Sequence, residues 1–169
     1  NGAILSGLEN IVLRPPVLED GMAVFQLIER CSPLDTISSY CNLLQCSHFS
    51  HTSVAAEVEG DLVGFISGYI LPERPDTLFI WQVAVAEQAR GQGLATRMLL
   101  ALLSRCREVS FIETSITADN QASWTLFRRI AEHSSVPLQK SVLFDQEQHF
   151  AGHHQTEHLV RLGPFSARE

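Results

Sequence analysis

The chain has 169 residues, of which 45% are apolar and 18% charged, a balance that fits one globular domain and excludes the charge-rich, apolar-poor composition of a disordered chain. A formal net charge of −7 argues against general nucleic-acid binding, which requires a basic surface to neutralise phosphates. No apolar run reaches the roughly 18 residues that span a bilayer, no basic leader precedes an apolar stretch, and the four cysteines form neither a Cys-x-x-Cys pair nor a compact disulfide framework.

The expectation is therefore a cytoplasmic protein with free thiols and no dealings with membrane or nucleic acid, its single domain running over 11–165 behind a tail, 1–10, to which no function is assigned. Ile11–Arg14 reads as a short strand stopped by Pro15-Pro16. Glu19–Cys31 predicts a helix through Met22, Val24, Phe25 and Ile28 at helical spacing, and Ser38–Cys46 a second. Thr52–Glu57 and Leu62–Leu71 are β-rich and joined by Glu59-Gly60-Asp61, so they should pair as a hairpin. Thr77–Ala86 is apolar on both alternating faces, as a strand covered on both sides must be.

Gly91–Arg107 then predicts an amphipathic helix on Leu94, Met98, Ala101, Leu102 and Arg105. Ser110–Ile116 follows as a parallel strand, Asn120–Glu132 as a helix capped by the Asn120 side chain, and Val136–Phe144 and His158–Leu162 as closing strands. A hairpin first and βαβα later implies an α/β chain with a mixed sheet: antiparallel N-terminal strands, parallel central strands and flanking helices, not a doubly wound fold.

The segment Gln88-Ala89-Arg90-Gly91-Gln92-Gly93-Leu94-Ala95-Thr96 joins the buried strand to the amphipathic helix and so sets backbone N–H groups at a helix N-terminus, where an anion is stabilised. Gly91 and Gly93 let a diphosphate approach the backbone, and Arg90 can add a charge-assisted contact. A nucleotide P-loop needs Gly-Lys-Ser/Thr and a dinucleotide turn needs a third glycine near position 96, which is Thr96; both patterns are absent.

These residues resemble the GNAT superfamily of acyl-CoA N-acyltransferases: Gln88-x-x-Gly91-x-Gly93-x-Ala95 is similar to its Arg/Gln-x-x-Gly-x-Gly/Ala motif, preceded by a Val83-Ala84-Val85 strand. The run Asn120-Gln-Ala-Ser123-Trp-Thr-Leu126-Phe127 is similar to that family's Asn-x-x-Ala/Ser-x-x-Leu-Tyr helix. The resemblance implies acetyl-CoA as co-substrate, cradled by Gln88, Arg90, Gly91, Gln92, Gly93, Leu94, Ala95 and Thr96. Val83 and Val85 would pair with the pantetheine arm and polarise the thioester, with further contacts from Asn120, Ser123 and Phe127. Many relatives carry Tyr as the acid for the departing thiolate; here the position is Phe127, which leaves that acid unassigned.

Two further segments, Leu34-Asp35…Ser38-x-Tyr40…Leu43-Leu44-x-Cys46-x-His48-Phe49 and His153-His154-x-x-Glu157-His158, together with Trp81, resemble the L-2,4-diaminobutyrate Nγ-acetyltransferases of ectoine biosynthesis. The resemblance, from about Leu13 to Leu162, implies acetyl transfer to the 4-amino group of that diamine and a homodimer. Asp35 and Glu157 are the expected contacts for its ammonium groups, Tyr40 and Trp81 shape the pocket, and Glu157, His154 and Tyr40 are the candidates for moving protons. Ile37 stands where that family's Asn is expected. Four of the seven histidines lie between His149 and His158, which admits zinc, but the expectation is a solvated loop and no metal. Two readings stay open beside this one: transfer to another polyamine or basic amino acid, and a non-catalytic acyl-CoA sensor.

Overall fold

The computed structural model describes residues 8, 10–31 and 36–166. The strands are β1 (Ile11–Arg14), β2 (Val54–Val58), β3 (Asp61–Leu71), β4 (Arg74–Val85), β5 (Phe111–Thr117), β6 (Leu138–Phe144) and β7 (Glu157–Leu162). The helices are α1 (Gly21–Arg30), α2 (Ser39–Ser47), α3 (Leu94–Arg105) and α4 (Gln121–Ser134), with 3-10 turns at Leu18–Asp20 and Glu87–Ala89. Hydrogen bonds order the strands β1-β2-β3-β4-β5-β7-β6 in a mixed sheet. The pair β4–β5 is parallel, whereas β1–β2, β2–β3, β5–β7 and β6–β7 are antiparallel. The chain divides into two compact units, one of residues 1–69 and 82–106, the other of 70–81 and 107–169.

In the first unit, β2 and β3 turn through Glu59 and Gly60, both at positive φ (51° and 84°), with Val58 opposite Asp61. That is the two-residue turn whose twist matches an antiparallel pair. Six consecutive buried residues, Val63–Gly68, show that β3 is covered on both faces. On one face α3 comes so close that a Cβ on Gly64 would lie 2.9 Å from the Met98 Sδ and 3.2 Å from the Ala56 Cβ. The core of this unit joins Val24, Leu27 and Ile28 of α1, Phe65 and Ile66 of β3, and Leu94, Met98, Leu99 and Leu102 of α3. Each such fully buried aliphatic side chain contributes about 2 kcal/mol by leaving water.

Two details of the helices differ from the periodicity. On α1, Met22 is exposed and Leu27 takes the inward place, the buried face running through Gly21, Val24, Leu27 and Ile28 at regular helical spacing. Gly21 itself is packed: a Cβ there would sit 2.4 Å from the Leu43 Cδ2, so α2 crosses α1 at this glycine. Helix α3 starts at Leu94, three residues later than the pattern suggests, since Gly91 and Gly93 occupy the left-handed region at φ 74° and 76°.

In the second unit, Thr77–Ile80 of β4 run parallel to Phe111–Thr114, and Ile112–Thr117 pair with Leu162–Glu157. The closing strands form as expected, but the later one, β7, lies between β5 and β6. Leu78, Ile80, Ile112, Phe127, Ile130, Val160 and Leu162 make the core. Glu113 is buried within β5, where it accepts from Arg74 Nη2 at 2.9 Å, from Arg74 Nη1 at 2.5 Å and from Arg161 Nη1. Arg161 in turn stacks over the Phe111 ring at 3.7 Å. A carboxylate so enclosed is tolerated because its oxygens meet three charge-assisted donors.

Candidate acyl-transfer site

The C-terminal half of β4 keeps strict alternation: Ile80, Gln82 and Ala84 are buried, while Trp81 is exposed and Val83 and Val85 are half-buried. Trp81, Val83 and Val85 thus share the more open face, as the regular strand predicts. The strand end is anchored through the Val85 carbonyl, which accepts from Arg90 Nε at 3.1 Å and from the Cys31 thiol at 3.4 Å. Arg90 is thereby tied back over the turn that Gln88 begins, and Gln92 Nε2 donates to the Gln88 carbonyl at 3.4 Å.

Beyond this turn α3 begins without a side-chain cap and without an acidic residue in its first turn; Arg97 N–H donates to the Gly93 carbonyl. The amides of Leu94, Ala95 and Thr96 precede that bond and belong to the orphan donors of a helix start. A Cβ on Gly91 or Gly93 would meet nothing within 4 Å, so the space above both is open. Open space, positive-φ glycines and uncapped N–H groups with no competing carboxylate suit a diphosphate, and the residues fit the cofactor expected for them.

The second unit holds the other motif. Asn120 is the N-cap of α4 and accepts from Ser123 N–H at 3.2 Å, so its side chain has a structural task. Ser123 is half-buried. Phe127 is only 1% exposed, a core residue of α4, which gives its ring a packing role whatever lies outside.

Trp81 and Glu157 fall on one face of the sheet of this unit. The lateral pairs Ile80–Thr114–Val160 and Thr117–Glu157 put Trp81, one residue past Ile80, in phase with Ser115, Leu159 and Glu157. His158 projects to the other face, where it meets Trp124 of α4 at 6.4 Å between ring centroids. His154 lies in the turn before β7 with its ring 4.6 Å from that of Phe150. Its Nδ1 is 2.7 Å from the Gln155 carbonyl, a contact that favours the proton on Nδ1.

In the first unit, Ser38 caps α2 by accepting from Cys41 N–H at 3.1 Å, and Tyr40 stands 70% exposed on the outer side of that helix. Ile37 is half-buried just before the cap and brings only apolar surface. Asp35 lies outside the described residues. All four cysteines are free thiols, and burial pushes Cys46 up to about 12 and raises Cys41.

A line of buried polar side chains also runs through the first unit. Asn42, Gln45, Ser53 and Ser67 are fully buried and Gln82 nearly so. The available signal was Asn42 and Gln45, three apart on the same helical face as buried Cys46, an unusual composition for an inward stripe.

The sequence pattern of the acetyltransferase (GNAT) family matches residues 22–131. The L-2,4-diaminobutyric acid acetyltransferase of Methylotuvimicrobium alcaliphilum is 54% identical over 96% of this chain and 95% of its own length. That of Halomonas elongata is 46% identical over 92% of this chain and 82% of its own. Among solved structures, the diaminobutyrate acetyltransferase of Paenibacillus lautus, in complex with its substrate L-2,4-diaminobutyric acid and coenzyme A, superposes with a TM-score of 0.87 at 43% identity, covering 92% of this chain and 96% of that one. The chain belongs to the acetyltransferase (GNAT) family, among its L-2,4-diaminobutyric acid acetyltransferases.

Proposed function

We propose that this protein transfers the acetyl group of acetyl-CoA to the 4-amino group of L-2,4-diaminobutyrate, a step of ectoine biosynthesis. The observation that carries the reading is the likeness to the Paenibacillus lautus complex of that diamine with coenzyme A, extending over nearly the whole chain. The open, uncapped start of α3 and the alternation of β4 support it from this chain's own geometry.

The chemistry sets the demand on the residues. An alkylammonium with a pKa of about 10.4 is neutral in only about one molecule in 2500 at pH 7, a cost of about 4.6 kcal/mol. The neutral nitrogen attacks the thioester carbonyl, the carbon–sulfur bond breaks, the thiolate leaves and the nitrogen gives up a proton. Glu157, at the start of β7 on the face of Trp81, is the proposed acceptor of that proton, and His154 the proposed relay to solvent. Tyr40, Trp81 and Asp35 are assigned to the diamine, and Gln88–Thr96, Val83, Val85, Asn120 and Ser123 to coenzyme A.

The α-amino group is the less basic of the two, near 7.7–8.0 for a free amino terminus, so population alone favours the wrong nitrogen. Selectivity then comes from holding the α-ammonium and carboxylate and presenting the γ-amine. A homodimer and a cytoplasmic location complete the reading. Edge strand β6, with Val142 56% and Phe144 45% exposed, supports pairing with a second copy.

Thiol release with a panel of diamines, product regiochemistry and the pH profile of Glu157→Gln test the proposal. The expected result is preference for diaminobutyrate, the 4-acetyl isomer, and a lower kcat with an altered pH profile in the variant. A mainly 2-acetyl product overturns the positioning argument, and an unchanged profile removes Glu157 from the proton path.

A further inference from the structure

Within the first unit, a hydrogen-bonded line of side chains runs from α2 to β4. Asn42 Nδ2 donates to Gln45 Oε1 at 3.0 Å, and Gln45 Nε2 donates to Gln82 Oε1 at 3.4 Å. The backbone N–H of Gln82 donates to the Ser67 hydroxyl of β3 at 3.1 Å, where a sheet ordinarily offers a carbonyl. The strand is therefore held at Gln82 from two directions by side chains, and its immediate neighbours in sequence are Trp81 and Val83.

The cost of this arrangement is visible at its far end. Asn42 is fully buried, and its Oδ1 meets no donor. With one amide group of the line left without a partner, three buried amides are a poorer device for stability than apolar side chains of the same size. Packing alone does not account for them.

We propose that Asn42 and Gln45 are positioning residues for acyl transfer, holding Gln82, jointly with Ser67, so that Trp81 and Val83 present the acceptor amine and the acetyl arm in reacting geometry. The inference rests on the reading that the Gln82–Val85 end of β4 receives the pantetheine arm. An apolar residue at either helix position leaves the strand free to shift by a fraction of an ångström along a direction the backbone ladder does not fix. Misplacement of about 1 Å is enough to cost on the order of 100-fold in rate.

The test compares wild type, the double variant Asn42→Leu/Gln45→Met and the single variant Ser67→Ala, each checked for folding by near-UV circular dichroism and for coenzyme A affinity by calorimetry. The double variant replaces the helix half of the line by apolar groups of similar size; Ser67→Ala removes only the hydroxyl and keeps the core volume. The expected result is a kcat lower by about 10- to 100-fold in both, with coenzyme A affinity within threefold of wild type and the same pH profile. A kcat within twofold of wild type in either folded variant overturns the proposal, as does a rate loss that merely follows a matching loss of coenzyme A affinity. Should the double variant not fold, Ser67→Ala decides alone. Wild-type turnover with diaminobutyrate is measured separately; if another amine proves the better acceptor, the acceptor assignment fails while the same comparison, run on that amine, still judges the positioning role.

Discussion

Alanine at Gly60, Gly91 and Gly93 separates backbone strain from ligand contact. The three glycines lie at φ 84°, 74° and 76°, and a Cβ at any of them meets nothing within 4 Å. In the free protein each substitution therefore incurs only the left-handed backbone penalty, about 1–2 kcal/mol. For a chain of this length that lowers the melting temperature by about 2–8 °C. Gly60 is in the β2–β3 hairpin, outside the Gln88–Thr96 segment, and serves as the strained control. If the amides around Gly91 and Gly93 hold the diphosphate, a methyl group there displaces at least one charged hydrogen bond worth about 1.5–3 kcal/mol, a loss of about 10- to 150-fold in affinity. Thermal melts and calorimetric titration with coenzyme A give both numbers for each variant. Equal destabilisation across the three, with weakened coenzyme A binding only in Gly91→Ala and Gly93→Ala, is the expected pattern. Affinity in Gly93→Ala equal to that in Gly60→Ala would refute the cradle.

Glu113→Gln leaves Arg161 and Arg74 facing a neutral amide inside β5. Breaking a buried ion pair costs about 3–5 kcal/mol, and because Arg74 is half-exposed the lower figure applies, a fall in melting temperature of about 6–12 °C; a loss below about 1 kcal/mol in urea unfolding would show that the cluster is mechanically idle. Arg14 holds the Asp20 carboxyl below its ordinary value of 3.8 through hydrogen bonds of 2.7 and 3.0 Å. A depressed carboxylate stabilises the fold above its unfolded pKa and ceases to do so as pH falls through the lower folded value. Urea midpoints of wild type should therefore exceed those of Arg14→Met at pH of about 6, with the gap closing below a pH of about 4; a gap that stays constant well below that pH would contradict the linkage.

Much of the fold could be read from the residues because patterning and turn chemistry pointed the same way. The hairpin needed Glu59-Gly60, the central strand its apolar residues on both alternating faces, and the start of α3 its two glycines. What escaped was tertiary. On α1 the inward face runs through Gly21, Val24, Leu27 and Ile28, a phase that goes with the packing of Gly21 against Leu43 and that Met22, equally apolar, concealed. The insertion of β7 between β5 and β6 is a pairing choice among similar strands, which local propensity leaves undecided. At the site, the glycine turn and the Trp81, Val83, Val85 face were legible as chemistry with a fixed spacing. The Asn42–Gln45–Gln82 line was not, since an amide on a helix gives no sign in the sequence of which strand it will meet 37 residues later.

Because β7 supplies the only bridge between β5 and β6 in this strand order, both must remain without that partner while a growing chain still lacks Glu157–Leu162. The first unit has its segments once Cys106 has been made, whereas the second still needs β6 and β7. Until then β5 and β6 each keep an edge unpaired, the condition in which strands are prone to pair with another chain. Pairing of β7 closes one edge of each at once.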